Sequence, residues 1–208
     1  EYIQRDIKKG IYYLELSSQH NSYAQLFLSN LYETGEFFPI NIQKSIDYLI
    51  RSANQNNKYA QRSLGALYLN GENVKADIGK AIHYLTLAAD QKESLACLYL
   101  SSIYLGGPYK RDTAKGLHYL NIAVEQKHPH AFYCLGMMYH DGIGVKKNMN
   151  KSIEYLTKAA DMNASEAQYY LGRLYYEGYS VKRDVNKSIY YLTKSSELNN
   201  QNAQWYLG

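Results

Sequence analysis

Histidine and cysteine carry most of the latent chemistry of this sequence, which holds six of the first and two of the second. His128 and His130 flank Pro129, a spacing that could open a metal site. A third ligand is missing nearby, because His140 lies ten residues further along the same predicted helix, about 15 Å away at a rise of 1.5 Å per residue. Zinc requires three or four protein ligands converging on one point, so no metal site is expected. His83 and His118 fall at equivalent positions of two internal repeats where other repeats carry Asp47, Glu154 and Tyr190, the variation of an exposed position. Cys97 and Cys134 are too few for a disulfide scaffold of the small secreted type, and a cytosolic setting is favoured. The pair occupies different positions on successive predicted helices, whose packed axes would sit too far apart for a disulfide, so two buried or half-buried thiols are expected. No G-x-x-x-x-G-K-[ST] loop, G-x-S-x-G elbow or H-E-x-x-H motif is present, and Gly142-Ile143-Gly144 has no strand before it. Neither a catalytic residue nor a cofactor is expected.

The remaining unusual residue is tyrosine, 24 in 208. Lysine and arginine number 23 against 19 acidic residues, with the signs interspersed, which gives no compositional reason to expect a nucleic-acid surface. No run approaches 18 apolar residues and Glu1–Gly10 is too polar for a signal peptide core, so no membrane insertion is expected in this segment. Only three prolines and no strand-like alternation point to an all-α chain.

What positions the tyrosines is a repeat. Ala24, Ala60, Ala96, Ala131, Ala167 and Ala203 are spaced by 36, 36, 35, 36 and 36 residues, and Tyr32, Tyr68, Tyr104, Tyr139 and Tyr175 keep the same steps, as do Gly35, Gly71, Gly107, Gly142 and Gly178. The first helix of each unit reads A-x-x-x-L-[GS]-x-x-Y-x-x-G, and spacings of four and three put Ala, Leu and Tyr on one buried face. Ser29, Gly65, Ser101, Gly136 or Gly172 follows the Leu, where a larger residue would block close approach of the next helix. The glycine after Tyr can close the helix at positive φ.

The second helix opens at Asp6, Asn41, Asp77, Asp112, Asn148 or Asp184, all good N-caps, and reads [DN]-x-x-K-[AGS]-[IL]-x-Y-L-x-x-[AS]-[ASV]. Asn21, Asn56, Lys92, Lys127, Asn163 and Asn199 stand past its end, at the place for a left-handed residue. The 35-residue step falls in the loop from Pro108 to Arg111. Lys9, Lys44, Lys80, Lys115, Lys151 and Lys187 recur in the first turn, where the helix dipole disfavours a cation, and need a neighbour that the sequence does not name.

The run Ala131, Leu135, Gly136, Tyr139, Gly142-Ile143-Gly144-Val145, Lys151, Ile153, Tyr155, Leu156, Ala159 and Ala160 resembles the consensus of the Sel-1-like repeat family, relatives of the tetratricopeptide repeats. The Gly-x-Gly-Val loop is complete only in the fourth unit, and the family's glycine between repeats is replaced by Asn or Lys. The resemblance implies an all-α, α/α superhelical solenoid, here with half repeats at 1–21 and 200–208 and full repeats at 22–57, 58–92, 93–127, 128–163 and 164–199. It further implies an adaptor or scaffold, since such proteins act in signalling, protein quality control and bacterial contacts with host cells, and are rarely catalysts. Cysteine-rich members linked to β-lactam binding or hydrolysis carry a cysteine pair in each repeat, which this sequence lacks.

Eleven tyrosines are the repeat's own core positions: Tyr13, Tyr32, Tyr48, Tyr68, Tyr84, Tyr104, Tyr119, Tyr139, Tyr155, Tyr175 and Tyr191. Opposite the core of the first helix, on the expected concave face, stand Tyr23, Leu26, Tyr59, Arg62, Leu98, Leu105, Tyr133, Met137, His140, Tyr169, Arg173 and Tyr176. Tyr, Leu, Met and Arg are the types that dominate interfaces, and a protein or peptide partner is the expectation. The plain structural alternative is that these side chains pack on the next repeat. The functional alternatives are nucleic acid or glycan stacking on the tyrosines beside Arg62 and Arg173, against which the low net charge counts for nucleic acid, and a cysteine-poor relative of the β-lactam enzymes. Sequons at Asn150, Asn163 and Asn186 are at the frequency an Asn-rich repeat produces by chance. Both ends cut through a repeat and neither shows a polar cap, so the chain reads as a fragment of a longer protein.

Overall fold

The computed structural model describes residues 2–106 and 110–208, with side chains from residue 7 onward. Twelve helices and no strand are found among them: α1 (Tyr2–Ser17), α2 (Ser22–Thr34), α3 (Ile42–Asn54), α4 (Lys58–Asn70), α5 (Ile78–Asp90), α6 (Ser94–Gly106), α7 (Thr113–Glu125), α8 (Pro129–Asp141), α9 (Met149–Asp161), α10 (Ser165–Glu177), α11 (Val185–Glu197) and α12 (Gln201–Leu207). The fold class is all-α, built from the α/α hairpins of a helical-repeat solenoid. Chain contacts divide it into two units, residues 1–110 with α1 to α6 and residues 111–208 with α7 to α12; within each, helices adjacent in sequence pack side by side.

The caps lie where the repeat placed them. Asn41, Asp77, Asp112, Asn148 and Asp184 each accept the N–H of the lysine three residues on, at 3.0 Å, and so start α3, α5, α7, α9 and α11. Gly35, Gly71, Gly142 and Gly178 end the first helices at φ between 70° and 77°. Gly107 and Pro108 lie outside the described residues. Asn56, Lys92, Lys127, Asn163 and Asn199 take positive φ past the second helices.

Two sequence expectations fail near the start. Helix α1 begins at Tyr2 and runs through Asp6, which therefore does not open it, and Lys9 lies mid-helix. Nothing in Tyr2-Ile3-Gln4-Arg5 breaks a helix, so an internal Asp does not stop it from extending upstream. Asn21 is no left-handed closing residue: at φ −116° it caps α2, accepting from Tyr23 and Ala24 N–H, the role that Asn57 plays 36 residues later. A third correction concerns Tyr13, which is 55% exposed and not a core residue. In the later hairpins this tyrosine stacks on the first helix's tyrosine, and among the described residues no helix precedes α1 to supply one.

The core is the predicted stripe. Leu28, Leu64, Leu100 and Leu171 of the first helices and Leu85, Leu120 and Leu156 of the second are fully buried, each removal from water stabilising the fold by about 1.5–3 kcal/mol. Close approach depends on the small residue: a Cβ on Gly65, Gly136 or Gly172 would lie 2.6–2.8 Å from Cγ of Leu85, Leu156 or Leu192. In the first hairpin Ser29 Oγ pairs with Ser45 Oγ at 3.1 Å instead.

Candidate functional site

The recurrent lysines find their neighbour in the tyrosine of the preceding helix. Nζ of Lys44, Lys80, Lys151 and Lys187 stands 5.0–5.1 Å from the ring centroids of Tyr32, Tyr68, Tyr139 and Tyr175. The same rings stack at 5.6–6.2 Å, within 8° of parallel, on Tyr48, Tyr84, Tyr155 and Tyr191. The ring quadrupole offsets the unfavourable end of the helix dipole, which makes these ladders structural and removes their tyrosines from the list of free ligand platforms.

The remaining candidates sort by unit. In residues 1–110, Tyr23 and Tyr59 are exposed and meet at 6.5 Å, with Lys58 Nζ 5.4 Å from the Tyr59 ring. Leu26, Arg62, Leu98 and Leu105 are half-buried, and Leu26 packs against a cluster formed by Leu49 and Ala53 of its own repeat and Ala60 and Leu64 of the next. In residues 111–208 the structure brings five candidates, Tyr133, His140, Tyr169, Arg173 and Tyr176, into one patch on α8 and α10, extended by α12. His140 Nδ1 lies 2.6 Å from Asp141 Oδ1 and 3.3 Å from the Tyr170 hydroxyl. Arg173 lies over the Tyr170 ring at 5.0 Å with its Nε 3.3 Å from Glu177 Oε1. Tyr206 joins Tyr169 and Tyr176 edge to face at 5.8 and 5.9 Å, and Arg183 covers Tyr176 at 5.6 Å.

The electrostatics follow from this packing. Burial pushes the Tyr133 and Tyr170 hydroxyls above their ordinary pKa of 10.0, in each case against the pull of the Arg173 charge. Burial also opposes the Arg173 charge, but the Tyr169 hydroxyl and Glu177 outweigh it and hold the guanidinium more firmly protonated. Both thiols are free, Cys97 buried and Cys134 half-buried, and burial pushes each up to about 11. They are inert thiols, not nucleophiles. Among the described residues no group of three or more His, Cys, Asp and Glu converges on a metal position, and no helix is long and apolar enough to cross a membrane.

Tyr133 and Met137 also pack against a cluster that joins Leu156 of their own repeat to Ala167 and Leu171 of the next, so part of the candidate face belongs to the core. Two contributors were missed from sequence. Tyr170, one residue past Tyr169, is buried with its hydroxyl at His140, and Trp205, 78% exposed, meets Tyr206 edge to face at 5.2 Å. A structural motif was missed as well: glutamine follows the repeat alanine at Gln25, Gln61, Gln168 and Gln204, and each Nε2 donates to a carbonyl at the end of the preceding helix.

Comparison with known proteins places these features. The Sel1 repeat model matches residues 1–22, 22–57, 58–93, 94–128, 131–163 and 165–200. A Sel1 repeat protein from Oxalobacter formigenes, 26% identical, superposes with a TM-score of 0.82 over 88% of this chain and 75% of its own. The protein c5321, a protective antigen present in uropathogenic Escherichia coli strains displaying an SLR fold, is 25% identical with a TM-score of 0.81; the match covers 95% of this chain and 42% of that protein. Cysteine rich protein B of Helicobacter pylori is 29% identical, with a TM-score of 0.51 over 65% of this chain and 98% of its own. No curated protein matches the sequence. With six matched repeats spanning nearly all its length, the chain belongs to the Sel1 repeat family, whose members are in general non-catalytic scaffolds for protein interaction.

Proposed function

We propose that this chain is a non-enzymatic scaffold that binds a peptide or protein segment on the exposed face of its first helices, with Tyr133, Met137, Tyr169, Arg173 and Tyr176 as anchors. The observation that carries the reading is the patch on α8, α10 and α12, where a half-buried arginine is held between Tyr169, Tyr170 and Glu177 beside exposed Tyr176 and Trp205. Aromatic rings bury large area at low entropy cost, and an arginine already fixed by its neighbours loses little freedom on binding. The patch carries both signs of charge, Arg173 and Arg183 with Glu177 and Asp141, which suits burial against a polypeptide better than against a phosphate backbone.

The test compares partner capture by the wild-type chain and by a Tyr133→Ala/Tyr169→Ala/Tyr176→Ala variant. Retained helicity with binding weakened by at least about 2 kcal/mol, the hot-spot threshold, supports the reading. Normal binding by a folded variant sinks it, and a steep loss of wild-type affinity with added salt would mark phosphate contacts instead.

A further inference from the structure

A second surface feature shares no residue with the aromatic patch. Between the end of α8 and the start of α9 lies a hollow of about 490 Å³, lined by Tyr139, Val145, Lys146, Lys147, Asn148 and Lys151. Three of its six lining residues are lysines and none is acidic. The loop that carries Lys146 and Lys147 is fixed at both ends: Gly142 N–H donates to Met138 O at 2.8 Å, and Asn148 N–H donates to Tyr139 O at 2.8 Å. In its middle, Gly144 at φ 69° presses so closely on Thr113 and Leu117 of α7 that a Cβ would not fit. Lys151 is already pinned over the Tyr139 ring. The backbone that carries Lys146 and Lys147 is thus fixed, and Lys151 is held over its ring, before any ligand arrives.

The other repeats show that this arrangement is particular to one position. The corresponding residues are Val74, Lys75, Ala76, Asp77 and Lys80 in an earlier repeat and Val181, Lys182, Arg183, Asp184 and Lys187 in the next. Both carry an aspartate cap, and Asp184 comes within 4.0 Å of Lys187. Asn148 caps α9 equally well without bringing a charge, so the capping requirement does not explain the choice. Asp141 is bonded to His140 at 2.6 Å, and Glu154, which also feels the Lys151 charge, is bonded to Lys158 at 2.7 Å. Among the described residues no ion pair involves Lys146, Lys147 or Lys151.

The geometry points to an anion-binding hollow at the start of α9 that takes a carboxylate-rich segment of a partner protein. Three ammonium groups lining one hollow, with no carboxylate among its lining residues, favour more than one negative charge, and an acidic segment supplies them in sequence. A nucleic acid would also need an aromatic face for its bases, and Tyr139 offers neither: Lys151 covers one, Tyr155 stacks at 5.6 Å on the ring.

The experiment is fluorescence anisotropy of labelled hexaglutamate with the 208-residue chain at low ionic strength, with inorganic phosphate and an oligothymidylate as competing probes. Salt-sensitive binding is expected, weakened about tenfold by Lys146→Glu/Lys147→Glu and by about threefold or more by Asn148→Asp, as a like charge enters the site. Asn148→Asp keeps the cap, so its thermal midpoint should match wild type and a loss of binding is not a loss of fold. Lys182→Glu/Arg183→Glu, in the neighbouring repeat, should have the smaller effect. Absence of hexaglutamate binding, an unaffected Asn148→Asp, or equal losses from the two charge-reversal pairs overturns the assignment. Preferential binding of the oligothymidylate, or displacement of the peptide by phosphate at matched charge, overturns the acidic-polypeptide class.

Discussion

Lys151 Nζ stands 5.1 Å from the centre of the Tyr139 ring, whose plane lies 7° from that of Tyr155. This arrangement, found in four hairpins among the described residues, explains a cation in the first turn of a helix where the dipole opposes it. Exposed cation–π contacts contribute about 0.5–1 kcal/mol each, so Lys80→Gln should destabilise the chain by roughly that amount. Tyr68→Leu in the same background should then make the lysine substitution nearly neutral. A double-mutant cycle in urea measures the coupling, and a coupling of zero would show that the lysine stem alone matters.

These ladders were half legible in the sequence. Identity at fixed spacing located both tyrosines and the lysine, because each hairpin repeats the same packing problem and solves it the same way. What spacing could not supply was direction across the hairpin, since Lys80 and Tyr68 belong to different helices and their meeting depends on rotamers. The glutamines after the repeat alanine lay open in the same register and were overlooked, being absent where Cys97 and Phe132 replace them. Errors gathered at Asp6, Tyr13 and Asn21, in the stretch where the residues at hand give a repeat argument a unit to compare with on one side only. The candidate site was the least legible part. Periodicity put Tyr133 and Tyr169 on the face away from their own hairpin, but whether such a ring meets solvent is decided by packing that periodicity does not show, and Tyr133 lies partly inward against a cluster drawn from its own repeat and the next.

The two kinds of helical glycine should respond oppositely to alanine. At Gly172 a Cβ would lie 2.7 Å from Leu192 Cγ, an overpacking that costs about 1–3 kcal/mol and offsets or exceeds the roughly 1 kcal/mol of helix propensity gained. At Gly10 nothing lies within 4 Å, so Gly10→Ala should stabilise by about 1 kcal/mol or less. Thermal midpoints of the two variants decide it. A Gly172→Ala protein more stable than Gly10→Ala would contradict the close approach of α10 and α11.

Ser152 and Ser188 present the same issue from the facing helix. Each hydroxyl is buried without a hydrogen-bond partner, in a hairpin whose first helix carries Gly136 or Gly172 where the first hairpin has Ser29 to pair with Ser45. Ala81 fills this position in another repeat. Leaving a buried polar group unsatisfied costs about 1–3 kcal/mol, so Ser152→Ala and Ser188→Ala should each raise the urea midpoint, while Ser45→Ala, which orphans Ser29, should lower it. Destabilisation by all three would mean that the hydroxyls have partners after all.

Alkaline pH should weaken the fold, and the sign follows from which state binds protons more tightly. Burial raises the Cys97 thiol from its ordinary 9.0 to about 11, with Glu93 and Asp90 adding to the effect, and does the same for Cys134 with Glu166. Tyr133, Tyr170 and Tyr191 are raised above 10.0, again chiefly by burial. Between the unfolded and folded values the native state keeps a proton that the unfolded chain has lost, so stability is full below pH 9 and falls as pH climbs towards 11. Cys97 is fully buried, and a shift of about two units is worth on the order of 2–3 kcal/mol. Urea midpoints should therefore be level from neutrality to about pH 9 and decline above it, and Cys97→Ala, though less stable at neutral pH through lost packing, should show a shallower decline. The same burial predicts that neither thiol reacts with a disulfide reagent at pH 8 until the chain unfolds. Rapid labelling of Cys97 in the native protein, or a midpoint that holds steady through the alkaline range, would place that thiol in solvent and contradict the packing of α6.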